Sequence, residues 1–254
     1  MPARRELGTV ISVDELTPGM FSMWIGTGCG DSSLPGQFVA LYSHDRSRIL
    51  PRPFGICDTE PGKLRLVFRV AGAGTEEFSR YRPGEPVEIL GPLGNGFPAL
   101  SDRALLIGGG SGLPPVYNLM KHYAGEKTAV LGYRDSAMFL REDFAAAGRT
   151  VVATEDGSFG VRGNVLDAIR SENLADGAGV IFACGPTPML RAVKAFAREQ
   201  GIPCYLSLEE RMACGIGACL ACVTKSTEKD AHSNVNNKRV CKDGPVFEAG
   251  EVEL

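Results

Sequence analysis

The sequence predicts an antiparallel β-barrel, followed by an α/β domain with a parallel sheet and by a small C-terminal metal-binding domain. The first hundred residues contain short apolar segments separated by Gly, Pro, Asp and Ser, which is typical of barrel strands. Strands and helices alternate from about residue 101, which indicates βαβ units. Four cysteines follow near the end of the chain. We therefore expect domains at residues 1–100, 101–206 and 207–254.

The expected barrel strands lie at residues 8–13, 21–25, 37–42 and 64–70. Residues 64–70 alternate in part between apolar and charged side chains, as in a strand with one buried face. A short helix is expected to follow Gly74-Thr75 and to end at Arg82-Pro83-Gly84. This helix would cap one end of the barrel.

The α/β domain is expected to have strands at residues 103–107, 128–133, 150–154, 179–183 and 203–208. Helices are expected from residue 113 and at residues 138–147, 164–173 and 188–200. Pro114 and Pro115 stand in the first turn of the first of these helices, where a missing N–H costs nothing. The polar stretch 225–238 predicts an exposed loop or hairpin within the C-terminal domain.

The composition excludes some classes of partner. A net charge of −3 gives no reason to expect nucleic acid or an anionic membrane surface. The chain has no run of eighteen apolar residues, so no membrane span is expected. Its N-terminus shows no apolar signal region, so we expect a cytoplasmic protein. Eight cysteines in such a chain favour reduced thiols and metal ligands over disulfides.

The spacing of four cysteines is the strongest motif in the chain. Cys214, Cys219, Cys222 and Cys241 form the C-x4-C-x2-C…C pattern of plant-type [2Fe–2S] ligation. The first gap holds Gly215, Gly217 and Ala218, small residues that let the backbone point N–H groups at the sulfurs. Tetrahedral zinc remains an alternative. Three of the other cysteines, Cys29, Cys57 and Cys204, are interpreted as small, part-buried residues.

Two glycine-containing turns suggest a nucleotide site. The turn at residues 108–112 follows a strand and opens a helix, as a dinucleotide requires, although Leu113 replaces the third glycine of the full fingerprint. Cys184 and Gly185 end a later strand of the same sheet, where the thiol could lie against a nicotinamide ring. A plain tight turn and a buried thiol are the alternatives. The candidate nucleotide-binding residues are Gly109, Gly110, Gly112, Cys184 and Gly185.

Motifs in the barrel region suggest a second phosphate-bearing ligand. The sequence Arg52-Pro53-Phe54-Gly55 ends a strand-like segment, and Gly74-Thr75 opens the short helix. A helix N-terminus presents free N–H groups and the positive end of the dipole to a pyrophosphate, although Gly74-Thr75 also suits a simple N-cap. Arg52 and Arg69 are plausible counter-charges for phosphate.

Together these motifs resemble the ferredoxin–NADP reductase superfamily. The cysteine segment, with residues 207–213 before it and 240–247 around its last cysteine, resembles the electron-transfer subunit of class 1B dihydroorotate dehydrogenase. The resemblance implies an FAD-binding barrel, an NAD-binding domain and four cysteine ligands to one [2Fe–2S] cluster. It places the FAD contacts on Arg52, Pro53, Phe54, Gly55, Val67, Phe68, Arg69, Gly74 and Thr75.

The resemblance also implies a function and a partner. Family members pass electrons between NAD and the FMN of a separate catalytic subunit that interconverts dihydroorotate and orotate in pyrimidine (UMP) biosynthesis, and we expect a heterotetramer with two copies of each subunit. Nicotinamide delivers two electrons at once and a cluster accepts one, so a flavin belongs between them. Gly55 departs from the family pattern, which usually has serine there and so offers a hydroxyl near the flavin.

No catalytic residue for an organic substrate is expected in this chain. His44, His122 and His232 stand apart from other acid–base candidates in the sequence, so substrate chemistry is assigned to the partner. Two alternatives stay open. One is a related relay, such as the ferredoxin reductase subunit of a bifurcating complex or a hydrogenase-associated diaphorase. The other is a zinc-binding adaptor without a redox role.

Overall fold

A computed structural model describes residues 3–229 and 234–254 of the chain. Its N-terminal part contains strands β1 (Arg4–Thr17), β2 (Met20–Gly26), β3 (Phe38–Tyr42), β4 (Arg52–Glu60), β5 (Lys63–Arg69) and β6 (Pro86–Leu93). These strands form a closed antiparallel barrel in the order β1-β2-β5-β4-β3-β6. The predicted barrel is therefore confirmed.

Two barrel strands, β4 and β6, were not predicted from the sequence. Arg52-Pro53-Phe54-Gly55 begins β4 and does not end a strand, contrary to the interpretation above. Strand β6 contains Pro86 and Pro92, which lower the strand propensity of the segment. Both are nevertheless paired in the barrel, because closure gives every strand two neighbours.

Alternating side chains of the strands fill the barrel core. Ile25, Leu41, Leu66 and Ile89 are completely buried there. Helix α1 (Ala73–Ser79) covers one end of the barrel by inserting Phe78, whose ring meets Phe54 edge-on at 5.8 Å. Helix α1 thus has the capping position that the sequence predicts.

The second part of the chain is built on a parallel sheet. Its strands are β7 (Ala104–Gly109), β8 (Lys127–Tyr133), β9 (Thr150–Thr154), β10 (Val161–Arg162), β11 (Val180–Cys184) and β12 (Cys204–Ser207). Its helices are α2 (Leu113–His122), α3 (Arg141–Ala147), α4 (Val165–Ser171) and α5 (Thr187–Gln200). Every residue of β7 and β11 is buried, which explains their uninterrupted apolar runs.

The strand order of this sheet locates a crevice. The strands lie in the order β10-β9-β8-β7-β11-β12, so the chain proceeds outward in opposite directions from the gap between β7 and β11. Ligands of such sheets bind at this reversal, outside the carboxyl ends of the strands. The glycine turn at 108–112 and the Cys184-Gly185 segment stand on the two sides of that gap.

The C-terminal segment is joined to the parallel sheet. Strands β13 (Val223–Lys225) and β14 (Asn237–Arg239) form a two-stranded hairpin, as expected for the polar stretch. The described residues do not include 230–233, so His232 and the tip of this stretch lie outside them. Strand β15 (Val246–Glu248) pairs antiparallel with β12 and extends the sheet. The division of the chain at residue 207 stays a prediction.

Within residues 3–229 and 234–254, no helix combines the length and the hydropathy that a transmembrane segment needs.

Candidate functional site

The four cysteines form two pairs, Cys214 with Cys219 and Cys222 with Cys241. The Cys219 N–H points at the Cys214 sulfur at 3.4 Å, and the Cys241 N–H points at the Cys222 sulfur at 3.4 Å. Within the described residues, no three His, Cys, Asp or Glu side chains are arranged to hold a single ion. Two pairs of thiols suit a cluster with two irons, each of which takes two of the four cysteine ligands.

Backbone N–H groups converge on these sulfurs. Gly217 N donates to the Cys241 sulfur at 3.1 Å, and Ala218 N donates to the Cys214 sulfur at 3.3 Å. Gly215 and Gly217 adopt φ values of 69° and 85°, which a side chain would disfavour. These glycines therefore let the loop turn its N–H groups inward, where they stabilise an anionic cluster.

The pKa values of the Cys214 and Cys241 thiols are shifted in opposite directions. Burial raises the pKa of Cys214, but N–H groups of Ile216, Cys219 and Ala218 outweigh it and lower this pKa to about 6. Burial, reinforced by the neighbouring Cys222 thiol, raises the pKa of Cys241 to about 12. Four adjacent thiolates need positive charge between them, which the irons of a cluster supply. The residues present therefore fit a [2Fe–2S] centre.

The cysteine loop (residues 214–222) and the segment 241–245 contact both the barrel and the parallel sheet. A Cβ on Gly215 would lie 3.4 Å from the Leu93 side chain at the end of β6. Asn95 N donates to the Gly244 carbonyl at 2.6 Å, and Leu208 N donates to the Pro245 carbonyl at 2.9 Å. These contacts place the cysteines beside the junction of the barrel and the parallel sheet.

The predicted nucleotide residues come together at the crevice. A Cβ on Gly112 would overlap the Cys184 carbonyl, so the turn approaches β11 closely only because residue 112 is glycine. A Cβ on Gly109 would lie 2.8 Å from the Met189 sulfur, and one on Gly185 would lie 2.9 Å from the Gly109 carbonyl. Gly110, with φ 55°, faces open space. Burial raises the pKa of the Cys184 thiol, so the thiol stays protonated at neutral pH.

Six of the predicted flavin residues divide into three groups. Arg52 lies against Gly74, where any side chain would overlap its guanidinium. Phe54 and Phe68 pack in the barrel core with ring centroids 5.3 Å apart, so only their backbone is available to a ligand. By alternation with them, Pro53, Gly55 and Val67 lie on the outer barrel face.

Details at three of these positions affect the prediction. A Cβ on Gly55 would lie 3.4 Å from Pro115 at the start of α2, so this outer face adjoins the nucleotide domain. The Thr75 hydroxyl accepts the N–H groups of Ala71 and Gly72 at 2.9 and 3.2 Å, so it closes the start of α1. The Arg69 side chain is exposed and makes no hydrogen bond or ion pair within the described residues, which leaves its charge available for phosphate.

Sequence reasoning missed one polar pair in the crevice. The Ser111 hydroxyl donates to a Glu209 carboxylate oxygen at 3.0 Å. Ser111 lies within the glycine turn, and Glu209 follows the end of β12 by two residues. Their positions at strand ends of a parallel sheet are the signal that could have identified them.

The protein combines a barrel that carries an exposed arginine, a sheet crevice with glycine turns and a loop with paired cysteines. This combination is typical of an iron–sulfur protein of the ferredoxin-reductase class. The chain is similar to the solved structure of an NADH-dependent reduced ferredoxin-NADP oxidoreductase, a protein of flavin-based electron bifurcation. The TM-score is 0.87 and the sequence identity is 29%, over 98% of this chain and 90% of that chain. A ferredoxin reductase of carbazole 1,9a-dioxygenase matches in fold, with a TM-score of 0.67 and 19% identity over 80% of this chain and 68% of that one.

Comparisons with protein families and with individual protein sequences identify the family within this class. The family described as the iron-sulfur cluster binding domain of dihydroorotate dehydrogenase B matches residues 209–253, and the oxidoreductase NAD-binding domain matches residues 106–195. The electron transfer subunit of dihydroorotate dehydrogenase B (NAD(+)) from Geobacillus thermodenitrificans is 42% identical, over 98% of this chain and 99% of that protein. Its counterpart from Enterococcus faecalis is 40% identical over the full length of both. The chain belongs to this family of electron-transfer subunits.

Proposed function

We propose that this chain carries electrons between NAD(H) and a catalytic dihydroorotate dehydrogenase subunit, through FAD and a [2Fe–2S] cluster, in pyrimidine biosynthesis. The observation that carries the proposal is the attachment of the cysteine loop to both other parts of the protein. The loop contacts the end of β6 through Gly215 and Leu93, and β15 joins the nucleotide sheet beside β12. A cluster held there lies beside the junction of the barrel and the parallel sheet.

Each part of the chain has a distinct task in this relay. Gly109, Gly110 and Gly112 let a dinucleotide approach the backbone at the start of α2, where the positive end of the helix dipole favours phosphate although Pro114 and Pro115 offer no N–H groups. We assign Arg52 and Arg69 to the phosphates of FAD, and the outer face with Gly55 and Val67 to its ring. When bound, FAD accepts two electrons as a hydride and releases them singly to a cluster.

The proposed contacts of the barrel divide between side chains and backbone. Pro53 and Gly55 lie on the outer face of β4, whereas Phe54 and Phe68 act through their backbone because their rings fill the barrel core. Thr75 closes the start of α1, and Gly74 leaves room there for the Arg52 guanidinium. Cys184 and Gly185 form the wall of the crevice on the β11 side.

The substrate chemistry is assigned to the partner. The family name implies a catalytic dihydroorotate dehydrogenase subunit. We propose that this partner holds FMN and that two copies of each subunit form a heterotetramer. The His44 ring stacks on Tyr81 at 4.7 Å and contacts the Pro86 carbonyl at 2.7 Å, so we assign it a packing role. The cytoplasmic location stays a prediction.

Reconstitution with the catalytic subunit tests this function. The purified chain should be yellow-brown, with flavin absorbance and a broad sulfide-to-iron band. Mixed anaerobically with the catalytic subunit, it should make dihydroorotate oxidation reduce NAD⁺, whereas either protein alone should not. Colourless, zinc-containing protein would contradict the relay and support an adaptor.

A related relay is the second candidate, because the bifurcating oxidoreductase matches over nearly the whole chain. Its function would be favoured if the purified protein coupled NADH to ferredoxin but not to dihydroorotate in the same anaerobic assay. The 40–42% identity with dihydroorotate dehydrogenase subunits, against 29% with that structure, favours the first candidate.

A further inference from the structure

An ion pair between Arg239 and Asp243 closes the turn that carries Cys241. The Asp243 carboxylate accepts the Arg239 side chain at both oxygens, with Oδ2 3.0 Å from Nε and Oδ1 2.9 Å from Nη2. Oδ2 also accepts the Arg239 backbone N–H at 2.7 Å. The Lys242 and Asp243 N–H groups donate to the Arg239 carbonyl at 3.0 and 2.7 Å. A two-point pair in a closed turn fixes the guanidinium, so its charge has a defined place beside a proposed cluster ligand.

The same guanidinium reaches across to the cysteine loop. Its Nη1 donates to the Gly217 carbonyl at 3.4 Å. That carbonyl belongs to the peptide unit whose N–H, on Ala218, donates to the Cys214 sulfur at 3.3 Å. Arg239 therefore binds the carbonyl end of a peptide that presents its N–H end to a sulfur. Hydrogen bonds joined in this way polarise one another, so the cation strengthens the N–H···S bond.

Gly217 is the residue at which the turn and the cysteine loop meet. A Cβ there would lie 2.8 Å from the Lys242 side chain and 3.5 Å from the Arg239 guanidinium, so a side chain would push the two segments apart. The Gly217 N–H donates to the Cys241 sulfur at 3.1 Å. The two peptide units that flank Gly217 thus serve one sulfur of each cysteine pair, and Arg239 holds the second of these units.

These contacts bear on the reduction potential of a cluster. A cluster gains one negative charge when it accepts an electron, at a site that four thiolates already make anionic. Its potential depends on the net charge around it and on the hydrogen bonds to its sulfurs. Arg239 affects both in the direction that favours the reduced form, whereas the Asp243 charge opposes it. Their side chains are only 37% and 27% exposed, so solvent screens these charges in part.

We propose that the Arg239–Asp243 pair sets the reduction potential of the cluster: Arg239 raises it through the Gly217–Ala218 peptide, and Asp243 limits the rise. This inference rests on the proposed function, because it requires a [2Fe–2S] cluster on the four cysteines. Arg239 is then a positioning residue, since it acts on the Cys214 sulfur through the peptide that it holds. The pair determines how readily one electron passes from reduced FAD to the cluster.

The test compares Arg239→Gln, Asp243→Asn and Lys238→Gln in the cofactor-loaded protein. Lys238→Gln is the matched control, because Lys238 precedes Arg239 on β14, its side chain lies on the opposite face of the strand, and its loss removes the same charge. A redox titration, with the reduced cluster detected by electron paramagnetic resonance, would measure each midpoint potential. Resonance Raman spectra of the oxidised cluster would measure the stretching bands between iron and the cysteine sulfurs, which respond to hydrogen bonds on those sulfurs.

We expect Arg239→Gln to lower the midpoint potential. The ratio of reduced to oxidised cluster at the parent's midpoint should fall roughly tenfold, the scale of one charge-assisted contact, which is about 59 mV for a one-electron couple. Asp243→Asn should raise the potential, because asparagine still accepts the Arg239 N–H and the guanidinium charge is no longer compensated. Lys238→Gln should shift the potential less than half as far as Arg239→Gln. The stretching bands should move in Arg239→Gln and stay in place in Lys238→Gln.

Two results would overturn the inference. Equal shifts of the potential in Arg239→Gln and Lys238→Gln, zero included, would assign any effect to surface charge in general. A potential of Asp243→Asn at or below that of the parent would also overturn it, and this result decides the question even if Arg239→Gln loses the cluster. Failure of the proposed function looks different: the parent protein itself would contain no iron and sulfide and would show no resonance signal of a reduced cluster.

Discussion

Replacing Lys121 with Met should destabilise the contact between the barrel and the nucleotide domain. Lys121 near the end of α2 reaches Asp58 of β4, with its ammonium nitrogen 2.6 Å from a carboxylate oxygen. The Asp58 side chain is only 7% exposed and that of Lys121 is 31% exposed. The substitution therefore leaves a charged carboxylate in a largely buried interface without its cation.

The expected loss in the free energy of unfolding follows from these contacts. Removing one partner of a buried ion pair costs about 3–5 kcal/mol, because the remaining charge is uncompensated. Two features lower this value: Lys121 is partly solvated already, and Asp58 keeps the Thr59 N–H at 2.7 Å as a hydrogen-bond donor. We expect a loss of about 2–3 kcal/mol in the free energy of unfolding.

Urea unfolding with matched cofactor content measures this loss, provided that the slope of the transition is unchanged. Lys63→Met is the control, because it removes the same side chain from an exposed pair with Glu60 and from the face of the Trp24 ring, which together should cost about 1 kcal/mol. Adding Asp58→Asn to Lys121→Met should recover most of the loss, since asparagine still accepts the Thr59 N–H. Equal losses in Lys121→Met and Lys63→Met, or no recovery in the double variant, would refute the reasoning.

Three further predictions concern the cofactors and the partner. Cys219→Ser should lose the cluster and keep most of the flavin, since the two sites lie in separate parts of the chain; iron and sulfide content at the parent level would remove Cys219 from the ligand set. Arg52→Ala should weaken FAD binding by roughly 1.5–3 kcal/mol, measured by flavin fluorescence, and unchanged affinity would assign Arg52 a structural role. Leu220→Asp should slow coupled dihydroorotate–NAD turnover and leave NADH-driven dye reduction intact, because Leu220 is 59% exposed between the cysteines Cys219 and Cys222. Full coupled activity and full affinity for the partner would show that the surface around Leu220 does not dock the partner. Ile11→Asp, on barrel strand β1, is the control for an added surface charge.

The sequence alone determined the features that depend on neighbouring residues. The four cysteines that we propose as cluster ligands are spaced within a short segment plus one later turn, so their pattern is readable without the fold. Glycine turns and apolar periodicity likewise act over a few residues, and strand β9 begins and ends at the predicted residues. Strands β4 and β6 were missed because Pro53, Pro86 and Pro92 lower their local propensity.

Only the tertiary structure decided which distant groups meet. Ser111 and Glu209 are 98 residues apart in sequence, and Lys121 and Asp58 are 63 apart. The chain also returns through β15 to extend the nucleotide sheet, so the cysteine loop is fixed beside the crevice. Such contacts follow from how the barrel closes, how the sheet orders its strands and how the two pack together. Each depends on the burial of whole faces rather than on the preference of any short segment.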